Sequence, residues 1–273
     1  MVTRVERISV ATEKAALGYL SAKPAEGVFI SYLLRHDLSS ATRNRIYVLL
    51  DGDTVRGVAY FARQIVLACE PEFAAPFARE ARKHLGERML VGPRATVDAY
   101  WELVRAWHAA PRLVRERQFV MTLDRPRLQP YERLVTVRHA RPDEWTAVAD
   151  NSAAMIDGEL DFDPRSRSAA FSSNVRRMID ENLWWVGESL GRLCFFCNVG
   201  PWCEKTAQLQ GIWTPLEFRG RGIASSALAA ICDRLLDDVP ELSLYVNDFN
   251  ANAIALYRRV GFETSSEFQT LLF

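Results

Sequence analysis

The chain has 273 residues, enough for one large domain or two of ordinary size, and 49% hydrophobic with 25% charged residues is a globular balance. Lys plus Arg equals Asp plus Glu, 34 against 34, so no net positive charge supports broad binding to nucleic acid. Met1 to Lys14 lacks the apolar core of a signal peptide, and no run approaches the ~20 apolar residues of a membrane span. Five cysteines, an odd number, fit a reduced, cytoplasmic compartment better than a disulfide framework.

The first half alternates strand and helix patterns. Ile46 to Leu50 and Arg56 to Phe61 read as strands around the hairpin turn Asp51-Gly52-Asp53. Pro76 to Leu85 reads as a helix, Met89 to Val91 as a strand and Val97 to Trp107 as a second helix, with Gln118 to Leu123 closing that sheet. Asp124 to Pro130 carries two prolines and little apolar content, and is the expected boundary between domains 1–127 and 131–273.

The second half reads more clearly. Leu134 to Arg138 is an expected strand, Pro142 to Met155 and Arg165 to Asn182 are expected helices, and Trp184 to Gly187 with Arg192 to Val199 an expected hairpin. Gln208 to Thr214 is a strand closed by Pro215. Ile223, Ala227, Ile231 and Leu235 recur every four residues, which gives a helix one apolar stripe. Leu242 to Val246 is a strand. Asn250 stands at an N-cap position, a helix follows to Val260 with Gly261 as its C′ residue, and Phe262 to Phe273 is a terminal strand.

The chemistry concentrates in the turn Arg219-Gly220-Arg221-Gly222 before the helix. Glycines let backbone N–H groups converge on an anion, the helix N-terminus adds partial positive charge, and two arginines add full charges. A phosphate or pyrophosphate is the natural ligand. A tight strand-to-helix turn with solvated arginines, or a degraded dinucleotide fingerprint, stay open on the turn alone. A P-loop does not, because its Gly-x-x-x-x-Gly-Lys-Ser/Thr pattern is absent.

Arg219-Gly220-Arg221-Gly222-Ile223-Ala224 resembles the Arg/Gln-x-x-Gly-x-Gly/Ala motif of the GNAT superfamily of acyl-CoA N-acyltransferases. Asn250-Ala251-Asn252-Ala253-Ile254-Ala255-Leu256-Tyr257 resembles the family's Asn-x-x-Ala-x-x-Leu-Tyr, and Gly261-Phe262 follows at the family's distance. The phrase Leu244 to Asn250 resembles bacterial two-part acetyltransferases.

The resemblance implies an α/β (α+β) fold, a mixed, mostly antiparallel twisted sheet flanked by helices, in 131–273. It also implies acetyl-CoA as co-substrate, an amine acceptor on a small molecule or protein, and direct attack in a ternary complex. Arg219, Gly220, Arg221, Gly222, Ile223 and Ala224 would hold the coenzyme A pyrophosphate. Ile212, Trp213 and Thr214 would pair with the pantetheine arm, as would Asn250 within the second motif, which also contains Ala253. Tyr257 would protonate the departing thiolate. A non-catalytic acyl-CoA sensor or scaffold is the alternative.

A general base is required, because an amine must lose a proton to attack. Asp157, Glu159, Asp161 and Asp163 form an acidic stretch where the family's acceptor loop falls, with Glu204 and Glu217 near strand ends. Glu159 ranks first, and an acidic stretch suits a cationic amine. Cys194, Cys197 and Cys203 lack metal-site spacing, so no metal is expected. Gly92-Pro93-Arg94-Ala95-Thr96 is the first half's candidate counterpart of the Gly turn, and Pro93 removes an N–H that a phosphate nest needs. The first half is expected to be a smaller GNAT-like α/β unit without coenzyme A binding, which shapes the acceptor site or mediates homodimerisation; a simple linker or an unrelated α/β module is the alternative.

Overall fold

The computed structural model describes residues 3–37, 39–82, 86, 88–160 and 162–273. The first half contains β1 (Thr3–Arg7), α1 (Val10–Leu20), α2 (Pro24–His36), α3 (Ser40–Arg43), β2 (Ile46–Asp51), β3 (Thr54–Phe61) and β4 (Gln64–Cys69). It continues with α4 (Ala74–Ala81), β5 (Met89–Pro93), α5 (Arg94–Val104) and β6 (Leu113–Asp124). The second half contains β7 (Thr136–His139), α6 (Trp145–Leu160), α7 (Pro164–Arg167), α8 (Phe171–Asp180), β8 (Trp184–Ser189) and β9 (Arg192–Trp202). It ends with β10 (Thr206–Trp213), α9 (Ile223–Leu235), β11 (Glu241–Asn247), α10 (Ala251–Val260) and β12 (Glu263–Leu272).

These strands form one sheet in the order β1-β2-β3-β4-β5-β12-β6-β11-β10-β9-β8-β7. Its ladders are antiparallel except β4–β5 and β10–β11, the two crossovers that carry α4 and α9. The mixed, mostly antiparallel sheet flanked by helices matches the fold class implied by the sequence.

Strand faces follow from alternation. In β2, Ile46, Val48 and Leu50 pack with Ala16, Leu20 and Ile30 of α1 and α2, while Tyr47 and Leu49 pack with Phe77 and Tyr100 of α4 and α5. Both faces are covered, so the strand is apolar throughout. The same alternation in the second half puts Leu242, Leu244 and Val246 of β11 against α9 and α10. Phe196 of β9 and Val186 of β8 face α6 and α8.

The halves exchange their last strands. Gln118 to Leu123 does not close the first half's sheet. Instead β6 pairs with β11, Leu242 opposite Leu123 and Asn247 opposite Gln118, and β12 takes the place beside β5. The strands β6 and β12 pair with each other at the centre. Gly261 fixes the approach of β12: its φ is +115°, and a Cβ there would stand 2.0 Å from the Arg127 carbonyl oxygen.

Some expected boundaries move. The helix expected over Arg165 to Asn182 is two, because Asp163 caps α7 through Arg165 N at 2.8 Å and Ser168 is extended. The helix expected to end at Met155 runs to Leu160, so Asp157 and Glu159 are helical and not in a loop. The helix expected to begin at Val97 starts at Arg94. The helix expected over Pro76 to Leu85 is described only to Ala81, and Lys83 to Leu85 lie outside the described residues, as does Asp161.

Candidate active site

The parallel ladder between β10 and β11 is short. Thr206, Ala207 and Gln208 pair with Glu241, Leu242 and Ser243, and then the strands part. The cause lies in β10, whose register against β9 slips between Gln210 and Trp213 around Gly211 at φ +61°. A Cβ on Gly211 would meet Asn198 Nδ2 at 2.5 Å. Beyond Gln208 the inner edges of β10 and β11 therefore face an opening, not each other, and backbone groups of Ile212 and Trp213 border it.

The Gly turn stands at the mouth of that opening. Gly220 and Gly222 have φ of +73° and +75°, a region that costs an L side chain energy. Gly222 caps α9 without any side-chain hydrogen bond. Among the described residues, the backbone N–H groups of Arg221, Gly222, Ile223 and Ala224 have no acceptor. Four orphan donors and a helix dipole thus point to one place, the arrangement that binds phosphate. Arg219 braces the turn: its Nε donates to the Thr214 carbonyl at 2.9 Å, and its guanidinium lies 4.5 Å from the centre of the Trp213 ring.

Across the opening, Asn250 Oδ1 accepts from Ala253 N at 3.2 Å, so Asn250 caps α10. Ala253 packs on the core beside Ile254 and Tyr257. Tyr257 is 7% exposed, with its ring 6.0 Å from that of Phe262. Burial pushes its hydroxyl above the ordinary tyrosine range, and Cys197 and the Glu159 carboxylate add to the effect. A phenol so placed keeps its proton.

Glu159 approaches from the other half of the cleft wall. It is exposed on the last turn of α6, and its Oε2 accepts from Arg115 Nη2 of β6 at 3.2 Å. Three of the other expected acids are engaged by arginines. Asp163 is taken up by Arg165, Glu204 by Arg35 and Glu217 by Arg192. Arg115 is absent from the sequence-derived set, since a single arginine in a charged run carries no signal of its partner. Gly211 does carry one, an isolated glycine within a strand pattern. Asn247, 8% exposed with Oδ1 lacking a partner, ends β11 beyond the last residue that pairs with β10.

The first half repeats the strand–helix–strand crossover with a different turn. The counterpart of the Gly turn, between β4 and α4, is Glu70-Pro71-Glu72-Phe73, whose carboxylates repel phosphate. Gly92 to Thr96 spans the end of β5 and the first turn of α5, the counterpart of α10, and so corresponds to the Asn250 turn instead. The Thr96 hydroxyl donates to the Cys69 carbonyl at 2.6 Å and ties α5 to the end of β4, where the second half is open. Among the described residues no group of His, Cys, Asp and Glu could hold a metal ion, and no helix is long and apolar enough to cross a membrane.

Residues 151–262 match the model of the Acetyltransferase (GNAT) family, and residues 44–148 match one described as a domain of unknown function (DUF4081). No curated protein matches the chain by sequence. Among solved structures, a Drosophila protein superposes with a TM-score of 0.68 at 12% identity, over 100% of this chain and 99% of that one. A GCN5-related N-acetyltransferase from Sphaerobacter thermophilus gives 0.61 at 15%, over 98% and 94%. A tandem GNAT protein from the clavulanic acid biosynthesis pathway gives 0.54 at 18%, over 99% and 98%. At these identities the likeness is one of fold. Residues 151–262 are an acetyltransferase (GNAT) family domain, and its sheet is continuous with that of the first half.

Proposed function

We propose that the chain is an N-acetyltransferase that moves an acetyl group from acetyl-CoA to an amine, with its single donor site in the second half. The observation that carries this reading is the pairing of an unladdered gap between β10 and β11 with four acceptor-free N–H groups at the start of α9. A pyrophosphate satisfies the amides, and an extended pantetheine amide chain satisfies the strand edges. Both halves of coenzyme A fit what the protein leaves open.

In this reading the amides of Arg221 to Ala224 hold the pyrophosphate, with Arg219 and Arg221 screening its charge. Gly220 and Gly222 keep the turn free of side chains. Ile212, Trp213 and Thr214 lie along the arm on one side and Asn250 and Ala253 on the other. Phe249 and Leu216, 75% and 73% exposed, stand on the two loops that flank the gap and would cover the arm. The bound thioester supplies an activated acyl carbon and a thiolate leaving group.

The protein supplies the proton handling. Glu159 takes a proton from the amine, directly or through water, as its nitrogen bonds to the acyl carbon. Tyr257, kept protonated by burial, gives its proton to the sulfur as the C–S bond breaks. A backbone N–H near Trp213 or Thr214 stabilises the charge that develops on the acyl oxygen. The first half shapes the acceptor side through Arg115. Five free, buried cysteines agree with a reducing, cytoplasmic setting.

The test is a thiol-release assay with acetyl-CoA and a panel of amines and peptides. Acceptor-dependent release supports the enzyme. Tight acetyl-CoA binding with no release for any acceptor would favour the sensor reading.

A further inference from the structure

A cavity of about 790 Å³ lies where the two halves meet, outside the cleft described above. Gln64 and Met89 at the starts of β4 and β5, and Leu272 at the end of β12, line it from the first half's sheet. Phe162 and Pro164, just beyond α6, line it from the second half's acceptor side. Three guanidinium-bearing residues, Arg63, Arg88 and Arg112, stand around it, and no acidic side chain is among its described lining residues.

The cavity opens on the same end of the sheet as the gap. The β5, β12, β6 and β11 ladders are antiparallel in turn, so Met89, Leu272 and Leu113 align and lie beyond the Asn247 end of β11. Arg112 precedes Arg115 by three residues on an extended chain, about 10 Å at ~3.3 Å per residue. Arg115 holds Glu159, and Arg112 lies 6.0 Å from the centre of the Phe162 ring. The cavity therefore begins roughly one extended alkyl chain away from the carboxylate assigned to the amine.

Its charge is unusual for its surroundings. Neither Arg63 nor Arg88 has a carboxylate partner among the described residues, whereas Arg56, Arg94, Arg115 and Arg117 do. Arg112 is already engaged, its Nε donating at 3.3 Å to a main-chain oxygen of Phe273, so Arg63 and Arg88 are the lining arginines whose side chains have no acceptor among the described residues. The volume lies within the ~300–1,000 Å³ typical of small-molecule sites, which combine apolar walls with a few placed charges.

Resting on the acetyltransferase reading, the geometry points to a specific acceptor class: a small amine with an apolar body whose far end carries a carboxylate or other anion. The amine lies at Glu159 and the anion between Arg63 and Arg88, with the body along Met89, Phe162 and Leu272. The first half is then the specificity element of the enzyme, and Arg63 and Arg88 read the acceptor without touching the reacting atoms.

The experiment compares ω-aminooctanoate with its methyl ester in the wild-type chain and in Arg63→Glu and Arg88→Glu, both exposed positions. Turnover and calorimetric binding without acetyl-CoA are measured for each. The free acid should have a KM at least about tenfold below the ester's, and each variant should raise it about tenfold while leaving the ester's KM and the acetyl-CoA Kd unchanged. Equal use of acid and ester, or variants that do not separate them, would overturn the acceptor class even if turnover is fast. Charge-dependent binding of the acid with no turnover would keep the cavity assignment and remove the acetyltransferase reading instead.

Discussion

Arg115 Nη2 stands 3.2 Å from Glu159 Oε2, so a strand of the first half holds the last turn of a helix in the second. The arginine side chain is 19% exposed and the glutamate side chain 46%. A pair this accessible contributes only about 0–1 kcal/mol to stability, and its value lies in where it keeps the carboxylate. Arg115→Ala should leave the melting temperature nearly unchanged and the acetyl-CoA Kd intact, while kcat/KM for the amine falls about tenfold. Glu159→Gln should fall further, by about 10² or more, as expected for loss of a general base. Unaltered amine kinetics in both variants would remove Glu159 from the site.

Tyr257 gives a second kinetic prediction. Tyr257→Phe should bind acetyl-CoA normally and lose about 10² in kcat, the lower range for an acid catalyst. Its raised hydroxyl sets the sign of the pH effect. The phenol stays protonated past the ordinary value of about 10, so it contributes no alkaline loss of kcat below that pH. A wild-type alkaline limb below pH 9 that disappears in Tyr257→Phe would contradict the assignment.

The exchanged strands make the halves interdependent. A fragment of residues 128–273 lacks β6 and leaves β11 with an open edge along Leu242 to Asn247. Exposed apolar edges aggregate. The fragment should be insoluble alone and be recovered in a soluble, acetyl-CoA-binding form when 1–127 is co-expressed. A monomeric, cooperatively melting 128–273 fragment would show that the exchange is dispensable.

Buried acids set the alkaline limit of stability. Burial pushes the Cys69 thiol up to about 12 and moves Cys197, Cys232, Tyr245 and Tyr257 upward as well. In the unfolded chain the thiols ionise near pH 8.5 and the phenols near 10, so above those values the unfolded state binds fewer protons than the folded one. Stability is then full below about pH 8.5 and declines as pH rises. The urea midpoint should drop between pH 7.5 and 10, and a rising midpoint would contradict this.

The second half was legible because its signals are local. The four-residue repeat of Ile223 to Leu235, the Asn250 cap and the Gly261 terminus each depend on neighbours in sequence, and each matches an element of the fold. Strand partnership is not local. Gln118 to Leu123 has the pattern of a strand, but nothing in it says that Leu123 meets Leu242 and not its own half. The acceptor side was obscured for the same reason, since Glu159 gains its meaning from Arg115, 44 positions earlier. The first half's counterpart of the Gly turn was misplaced by one crossover, because Gly92-Pro93 resembles a turn motif more than Glu70-Pro71 does.

Calorimetric titration with acetyl-CoA tests the central claim most directly. The wild-type chain should bind one equivalent. Gly222→Trp should abolish binding with the fold retained, because the side chain enters the anion nest at a φ of +75° and its Cβ meets Leu134 at 3.2 Å. Glu70→Gln, at the first half's corresponding turn, should bind as wild type does. Saturable binding that survives Gly222→Trp, or a wild-type chain that binds no acetyl-CoA, would contradict the assignment of the gap between β10 and β11 as the donor site.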